Sequence, residues 1–415
     1  MSILGGRRKE LASTALRAVT MLSKFVFVIY AARVLSASDM GVYGLFVAGV
    51  GIFVYILGMD FYTYSTRQLL ALPKSKWPAM IRDQFVLYVG VYCCVVPITL
   101  FIFYYNFLSW SLVGWFYLVL TLEHISQELY RLLIAAERQV EANLALFLRS
   151  GSWAYILIVL VQISPDSAGL STVFALWSAA ALLSLVVPGL WLSKLSWSEA
   201  ARTPIDRAWI RRGISVALLF FAGTLAMRIV FTVDRSLLKY FQDPASVGAY
   251  VFYFYIANSV ASLSEAGVTF HAFPRLIGAK YAGDGERFNA ISRDMSRNIV
   301  LVVCSMSIII VLGIPYVLSF VGKPVYSENI ALLWILLVAM GLQCLSYVPH
   351  YKLYAFHADR ALALVSLSAM VIMCVLSGIT VPVYGALGAA IALASTMMFV
   401  VVAKNLVFQR IARDQ

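Results

Sequence analysis

Long apolar runs, separated by short polar or charged stretches, make up most of this chain. A helix that crosses a bilayer needs about 20 predominantly apolar residues. The pattern therefore predicts a series of membrane-spanning helices with short connections. The twelve predicted spans are 11–32, 41–59, 84–105, 110–130, 142–163, 169–192, 213–233, 246–270, 298–320, 329–350, 361–381 and 384–408.

The composition excludes a soluble globular enzyme. Of the 415 residues, 62% are hydrophobic and only 13% are charged, whereas ordinary soluble domains carry about 25% charged residues. The basic start of the chain, which includes Arg7 and Arg8, is not followed by a small-residue cleavage site, so we expect an uncleaved first span. All five cysteines lie in apolar runs, which favours buried thiols over disulfides or metal ligands.

The basic residues predict the orientation of the chain. Most of the 32 lysines and arginines lie before span one, in the even-numbered connections or after span twelve. The odd-numbered connections hold only Arg33, Arg235, Lys239 and Lys323. Because basic residues favour the cytoplasmic side, we predict a multi-pass protein with both termini in the cytoplasm. The net charge of +12 then follows mainly from topology and needs no nucleic-acid partner.

A weak internal repeat divides the chain in half. Gly41 and Tyr43, within SASDMGVYGLF, match Gly248 and Tyr250, within DPASVGAYVFY, at half the chain length. The repeat predicts two six-helix bundles, residues 1–193 and 213–415, that enter the membrane from the same side. A cytoplasmic linker, residues 194–212, joins them. Many transporters are built from such repeats and bind substrate between the halves.

Cations inside the predicted spans are the candidate substrate-binding residues. A basic side chain at the bilayer centre costs about 2.5–3.5 kcal/mol on insertion scales. Arg17 and Lys24 share one face of span one, and Arg228 and Arg235 lie in or near span seven. A cavity lined by these four residues would offset the desolvation of a multiply charged anion such as pyrophosphate. Snorkelling remains an alternative for Arg17, and an interfacial ion pair with Asp234 remains one for Arg235.

Polar and acidic residues in the spans suggest counter-charges or ion coupling. Glu123 in span four, and Glu265 and Asn258 in span eight, form polar stripes on otherwise apolar helices. A carboxylate at low dielectric can pair with a cation, bind a proton or bind sodium. The sequence contains no phosphate-binding Gly-x-x-x-x-Gly-Lys loop and no catalytic or metal-ligand cluster. We therefore expect no catalytic residue, metal or cofactor, and a transporter rather than an enzyme.

Four short stretches carry a resemblance to a known superfamily. They are ARVLSASDMGVYGL at Ala32–Leu45, RLLIA at Arg131–Ala135, FPRL at Phe273–Leu276 and GALGAAIA at Gly385–Ala392. They resemble the multidrug/oligosaccharidyl-lipid/polysaccharide (MOP) exporters, especially Wzx-type O-antigen and polysaccharide flippases. The resemblance implies an all-α integral membrane protein whose two six-helix bundles form an inward- or outward-open V.

The resemblance also implies a function. Such flippases move an undecaprenyl-pyrophosphate-linked oligosaccharide from the cytoplasmic to the periplasmic leaflet of the bacterial inner membrane by alternating access. Coupling of this translocation to a proton gradient, a sodium gradient or the membrane potential would supply the driving force. A polysaccharide polymerase and a chain-length regulator are the expected protein partners.

Two alternatives remain open. A multidrug/ion antiporter of the same superfamily would favour an acidic cavity for cationic drugs, whereas the deep charges here are mainly positive. A membrane-embedded polysaccharide polymerase or glycosyltransferase would need catalytic acids or bases on a sizeable periplasmic loop. The predicted connections are too short to supply one.

Overall fold

A computed structural model describes residues 3–413, with the side chains of residues 12–198 and 200–413. The regular secondary structure in this part of the chain is entirely helical, as expected where hydrocarbon cannot satisfy an open strand edge. The α-helices are α1 (Ile3–Val34), α2 (Ala37–Gly58), α3 (Tyr62–Ala71), α4 (Trp77–Tyr104), α5 (Val113–Ala135), α6 (Gln139–Phe147), α7 (Trp153–Ile163), α8 (Leu170–Ser184), α9 (Val186–Leu192), α10 (Trp197–Arg202), α11 (Arg207–Val230), α12 (Val233–Phe241), α13 (Pro244–Ser264), α14 (Phe270–Tyr281), α15 (Gly285–Val321), α16 (Pro324–Glu328), α17 (Ala331–Leu345), α18 (Tyr347–Ala355) and α19 (Asp359–Arg413).

The described residues contain the twelve predicted spans. Ten continuous helical stretches are long and apolar enough to cross a membrane. Helix α5, at 23 residues, is also long enough to span a bilayer, although it carries the charged residues Glu123, Glu128 and Arg131. The 55-residue α19 supplies two spans, because the backbone at Gly385 leaves the helical region with φ 57° and ψ −131°. The prediction of an all-α membrane protein with twelve spans is confirmed.

The chain divides into two compact units. Unit 1 comprises residues 1–27 and 46–221, and unit 2 comprises residues 28–45 and 222–415. The predicted linker, 194–212, therefore belongs to unit 1, whereas the end of α1 and the start of α2 belong to unit 2. The division into bundles 1–193 and 213–415 stays a prediction.

Two helices related by the internal repeat meet within unit 2 at their matching glycines. A Cβ atom on Gly41 would lie 2.4 Å from the carbonyl oxygen of Pro244, and one on Gly248 would lie 1.9 Å from that of Ala37. Only glycine allows this approach of α2 to α13. The Gly-x-Tyr match in the sequence thus marks a helix crossing.

The same two helices begin with mirrored capping pairs. Ser36 caps α2, accepting a hydrogen bond from the amide of Asp39 at 3.0 Å, and its hydroxyl donates to the Asp39 carboxylate at 2.7 Å. Asp243 caps α13, accepting from the amide of Ser246 at 2.9 Å and from its hydroxyl at 2.7 Å. Both pairs satisfy amide groups that have no partner within the helix, and they support the repeat.

A lysine ties the end of α1 to the rest of unit 2. The Lys323 ammonium donates hydrogen bonds to the carbonyl oxygens of Ala32, at 2.7 Å, and Leu35. These carbonyls lie where α1 ends, so a cation there is also favoured by the helix dipole. The guanidinium of Arg33 lies over the Phe320 ring, 4.2 Å from its centroid. Residues 28–45 are therefore held by polar as well as apolar contacts.

Replacing Gly248 with alanine tests the helix crossing. We expect Gly248→Ala to destabilise the protein by about 1–3 kcal/mol, the usual cost of overpacking, and to lower the melting temperature in detergent. Gly51→Ala is the control, because nothing lies within 4 Å of a Cβ atom at Gly51 of α2. An equal melting temperature for the two variants would contradict the packing.

Candidate functional site

Four side chains from four different spans form a charged cluster at mid-depth in unit 1. The mid-span cluster consists of Lys24 on α1, Glu123 on α5, Arg149 between α6 and α7, and Trp177 on α8. Arg149 pairs with Glu123, with Nε 3.6 Å from Oε2, and the Trp177 indole N–H donates to Glu123 Oε1 at 2.7 Å. The side chain of Lys24 is exposed, and its charge is attracted by Glu123 and repelled by Arg149. The cluster therefore holds two cations and one carboxylate.

The local backbone presents Arg149 to this cluster. Residues Leu148–Ser152 form a π-helical turn that joins α6 to α7, a deviation frequent at functional sites. Arg149 is only 9% exposed, and its Nη1 also donates to the backbone carbonyl of Glu123 at 3.4 Å. On the opposite side, Ser23 of α1 donates to the Tyr155 hydroxyl at 3.0 Å. The π turn thus connects three spans around the charges.

Aromatic rings form one wall of the mid-span cluster. Trp177 stacks on Trp153, with ring centroids 6.2 Å apart and an interplanar angle of 10°. Trp153 in turn contacts Phe27, at 4.4 Å between centroids. Tilted and stacked rings at these distances pack favourably. The rings fix the indole that orients Glu123, so the carboxylate is held from both sides.

A second polar cluster in unit 1 is buried. Glu128 is 2% exposed and accepts hydrogen bonds from the Tyr88 hydroxyl at 2.6 Å, the Gln84 amide at 3.0 Å and the Arg131 guanidinium. The Arg131 guanidinium also lies over the Tyr62 ring, 3.7 Å from its centroid. Donors that surround a carboxylate in this way stabilise its ionised form. This cluster is therefore a satisfied structural network.

In unit 2, Arg235 is buried beside Asp234. Asp234 is 0% and Arg235 is 4% exposed. The Asp234 carboxylate accepts from the Tyr250 hydroxyl and from the Arg235 backbone amide, while the Arg235 guanidinium lies 4.0 Å from the centroid of Phe254. Its Nε and Nη2 atoms have no hydrogen-bond acceptor. Packing on an aromatic ring compensates part of that cost.

The remaining predicted residues are distributed over both units. In unit 1, Arg17 is half-buried on the same helix as Lys24. In unit 2, Arg228 and Glu265 are accessible and Asn258 is half-buried. Glu265 begins a second π-helical turn, Glu265–Thr269, and interacts electrostatically with Tyr347. Of the predicted set, the structure brings Lys24 and Glu123 together.

Several residues of these clusters are not among the site residues predicted from the sequence. Arg149 lies inside the apolar run 142–163 but was not treated as a cation within a span, although its position alone could have revealed it. Glu128 precedes Arg131 by three residues, a spacing that favours ion pairs on a helix, and the structure forms this pair. Trp177 gave no polar signal. Among the described residues, no group of three or more histidine, cysteine or acidic side chains could hold a metal ion.

Comparison with known proteins identifies the family. The family model described as polysaccharide biosynthesis protein matches residues 8–277, more than half of the chain. The chain belongs to this polysaccharide biosynthesis protein family. No curated protein sequence matches it.

Solved structures similar to this polysaccharide biosynthesis protein share its fold along nearly their whole length. An inward-facing multidrug resistance MATE family transporter of the MOP superfamily has a TM-score of 0.75 at 14% identity, over 96% of this chain and 95% of its own. The lipid II flippase MurJ, in an inward closed conformation, has a TM-score of 0.72 at 13% identity, with 97% and 89% covered. A MOP superfamily transporter from Pyrococcus furiosus, described as having a binding pocket of reverse polarity, has a TM-score of 0.58 at 13% identity, with 98% and 93% covered. These structures confirm the fold that the resemblance to the MOP superfamily implies.

A double-mutant cycle tests the pairing of Glu123 with Arg149. We expect Glu123→Gln to lower the free energy of unfolding by about 1–3 kcal/mol, because Arg149 loses its counter-charge. The double variant Glu123→Gln/Arg149→Gln should lose less than the sum of the two single losses, measured by thermal melting in detergent. Glu137→Gln, at an exposed position beyond α5, is the control. Strictly additive losses would rule out the pairing.

Proposed function

We propose that the protein is a flippase that moves an undecaprenyl-pyrophosphate-linked oligosaccharide from the cytoplasmic to the periplasmic leaflet. The family assignment to polysaccharide biosynthesis and a fold shared with multidrug transporters and a lipid II flippase support a membrane transporter. The observation that carries the substrate class is the excess positive charge of the mid-span cluster, which suits an anionic headgroup.

The chemistry of the mid-span cluster fits a diphosphate. A diphosphate carries several negative charges and cannot enter hydrocarbon without replacement of its hydration shell. The Arg149 guanidinium offers paired donors and Lys24 a mobile point charge, and both form strong charge-assisted hydrogen bonds to phosphate oxygens. The nearby Trp177 indole can donate a further hydrogen bond. The sugars and the polyprenyl tail need no charged partner.

In this proposal Glu123 is a resident counter-ion that the substrate replaces. Without substrate, the carboxylate pairs with Arg149 at 3.6 Å and offsets part of the cost of two cations within the spans. An arriving diphosphate would replace Glu123 as the counter-ion of Arg149 and Lys24. After the substrate is released, Glu123 would pair with them again. Such an exchange leaves the cations with an anionic partner at every stage, and the return of Glu123 favours release of the substrate.

The proposed direction agrees with the membrane potential. The predicted excess of basic residues on one side orients the chain with both termini in the cytoplasm of a bacterial inner membrane. A cell interior that is negative favours outward movement of negative charge by about 2.3 kcal/mol per charge at 100 mV. The potential could thus drive export, and proton or sodium binding at Glu265 and Asn258 remains a further proposed route of coupling.

The multidrug exporter remains the second candidate because the fold resembles MATE transporters. A pump for cationic drugs needs an acidic site, since like charges repel the substrate. The mid-span cluster has two cations for one carboxylate, the reverse of that requirement. The charge of this cluster therefore favours the flippase.

Neutralising the cations of the mid-span cluster tests the proposal. In vesicles reconstituted with lipid-linked oligosaccharide, we expect Lys24→Gln and Arg149→Gln each to slow delivery to the opposite leaflet at least about tenfold. Loss of one charge-assisted hydrogen bond, about 1.5–3 kcal/mol, accounts for that size. A sugar-binding lectin that cannot cross the membrane measures the delivered oligosaccharide.

Arg297→Gln, which removes the same charge at a side chain that is 69% exposed, is the control and should transport normally. Transport by both mid-span variants at the wild-type rate would exclude this cluster. If the wild-type protein does not move the lipid but exports a cationic dye, the multidrug exporter becomes the supported function instead of the flippase.

A further inference from the structure

A cleft lined by two arginines lies at the start of α11 in unit 1, away from the mid-span cluster. It is lined by Tyr64 and Gln68 of α3 and by Arg211, Arg212, Ser215 and Val216 of α11, and has a volume of about 540 Å³. No lining residue is acidic. The cleft therefore combines two guanidinium groups with amide and hydroxyl donors.

A network of hydrogen bonds holds the segment that precedes the cleft. The Arg82 guanidinium donates to the backbone carbonyls of Ala200 and Thr203, the latter at 2.6 Å. The carboxylate of Asp83, which is 4% exposed, accepts from the Asp206 amide at 3.0 Å. Asp206 in turn caps α11 by accepting from the Trp209 amide at 2.8 Å. The first turn of α11 is thus fixed in place.

Aromatic packing then places α11 directly against α3. The Trp209 ring meets Phe61 edge-on, with centroids 5.2 Å apart, and Tyr64 at 5.6 Å. A Cβ atom on Gly213 would lie 2.4 Å from Phe61 and 2.6 Å from Tyr64, so only glycine permits this contact. Arg211 and Arg212 are the residues immediately before this contact. Their backbone is therefore rigid although their side chains are exposed.

Among the described side chains, Arg211 and Arg212 have no acidic partner. None of the ion pairs among the described side chains involves Arg211 or Arg212. Other surface arginines of the chain, such as Arg138 and Arg297, do pair with a carboxylate. Two adjacent unpaired guanidinium groups on a rigid backbone raise the local affinity for phosphate oxygens.

We infer that this cleft binds the phosphate-bearing headgroup of a membrane lipid. Its place at the start of a span, beside Tyr64, suits the headgroup layer of the bilayer. Two lipids offer this chemistry: a polyprenyl diphosphate and an anionic phospholipid such as phosphatidylglycerol. Binding of a polyprenyl diphosphate rests on the proposed function. In that case, the cleft is a docking site that the substrate occupies before it reaches the mid-span cluster.

Binding by the full-length protein in phosphatidylcholine nanodiscs tests this inference without measuring transport. The probes are undecaprenyl diphosphate, undecaprenol, phosphatidylglycerol and inorganic pyrophosphate. In a Lys24→Gln/Arg149→Gln background, which removes the cations of the mid-span cluster, we expect the further change Arg211→Gln/Arg212→Gln to weaken binding of undecaprenyl diphosphate at least about tenfold and to abolish its salt dependence. Undecaprenol, which lacks phosphate, should not distinguish the two proteins.

The control is Arg207→Gln, an exposed arginine of the same helix that does not line the cleft, and it should change binding less than about twofold. Arg211→Lys/Arg212→Lys should restore part of the affinity, and equal melting temperatures check that the variants fold.

The outcomes distinguish the polyprenyl diphosphate from the anionic phospholipid as the lipid that binds in the cleft. A tenfold loss for undecaprenyl diphosphate supports the substrate lipid, and a loss confined to phosphatidylglycerol supports a bilayer lipid. Binding of inorganic pyrophosphate without either lipid, or unchanged lipid binding after the further change Arg211→Gln/Arg212→Gln, overturns the inference. These assays record binding alone. If the wild-type protein binds lipid at the cleft but does not transport it, the proposed function is wrong and the lipid-binding cleft still stands.

Discussion

The charge pairing of Glu123 with Arg149 is the interaction on which the candidate site depends. Both side chains belong to the middle of apolar spans, where an unpaired charge is expensive. The carboxylate is held between a guanidinium at 3.6 Å and the Trp177 indole at 2.7 Å. It allows Lys24 and Arg149 to stay within the spans as cations. Without it, the two positive charges would repel each other across a medium that screens poorly.

In unit 2, the main constraint is a close backbone contact between two helices rather than an ion pair. The α2 and α13 helices approach until only glycine fits at positions 41 and 248. Capping pairs at the start of both helices satisfy their first amide groups, and Lys323 satisfies the last carbonyls of α1. These backbone groups have no partner within their own helices. Side chains of the protein satisfy part of each helix end in this region.

The two basic sites of unit 1 differ in how their charge is compensated. In the mid-span cluster, the buried Arg149 and the exposed Lys24 share the carboxylate of Glu123. In the cleft at the start of α11, Arg211 and Arg212 are exposed, and no acidic residue is among the described residues that line it. Water and lipid headgroups can solvate a cation at the surface, whereas a cation at mid-depth requires a protein partner. The two basic sites of unit 1 thus differ in whether a protein carboxylate compensates the charge.

The sequence alone determined the helical class, the number of spans and the repeat, because each follows from local periodicity and from the cost of exposing polar groups to lipid. The apolar runs marked all twelve spans, and the matched Gly41 and Gly248 marked a helix crossing. The sequence could not show which polar side chains contact each other, because Lys24, Glu123, Arg149 and Trp177 lie on four spans far apart in the chain. Only the tertiary structure paired Arg131 with Glu128 and Glu123 with Arg149, and buried Arg235 against Phe254. Helix rotation and helix packing set those contacts, and neither is encoded in the pattern of any single span.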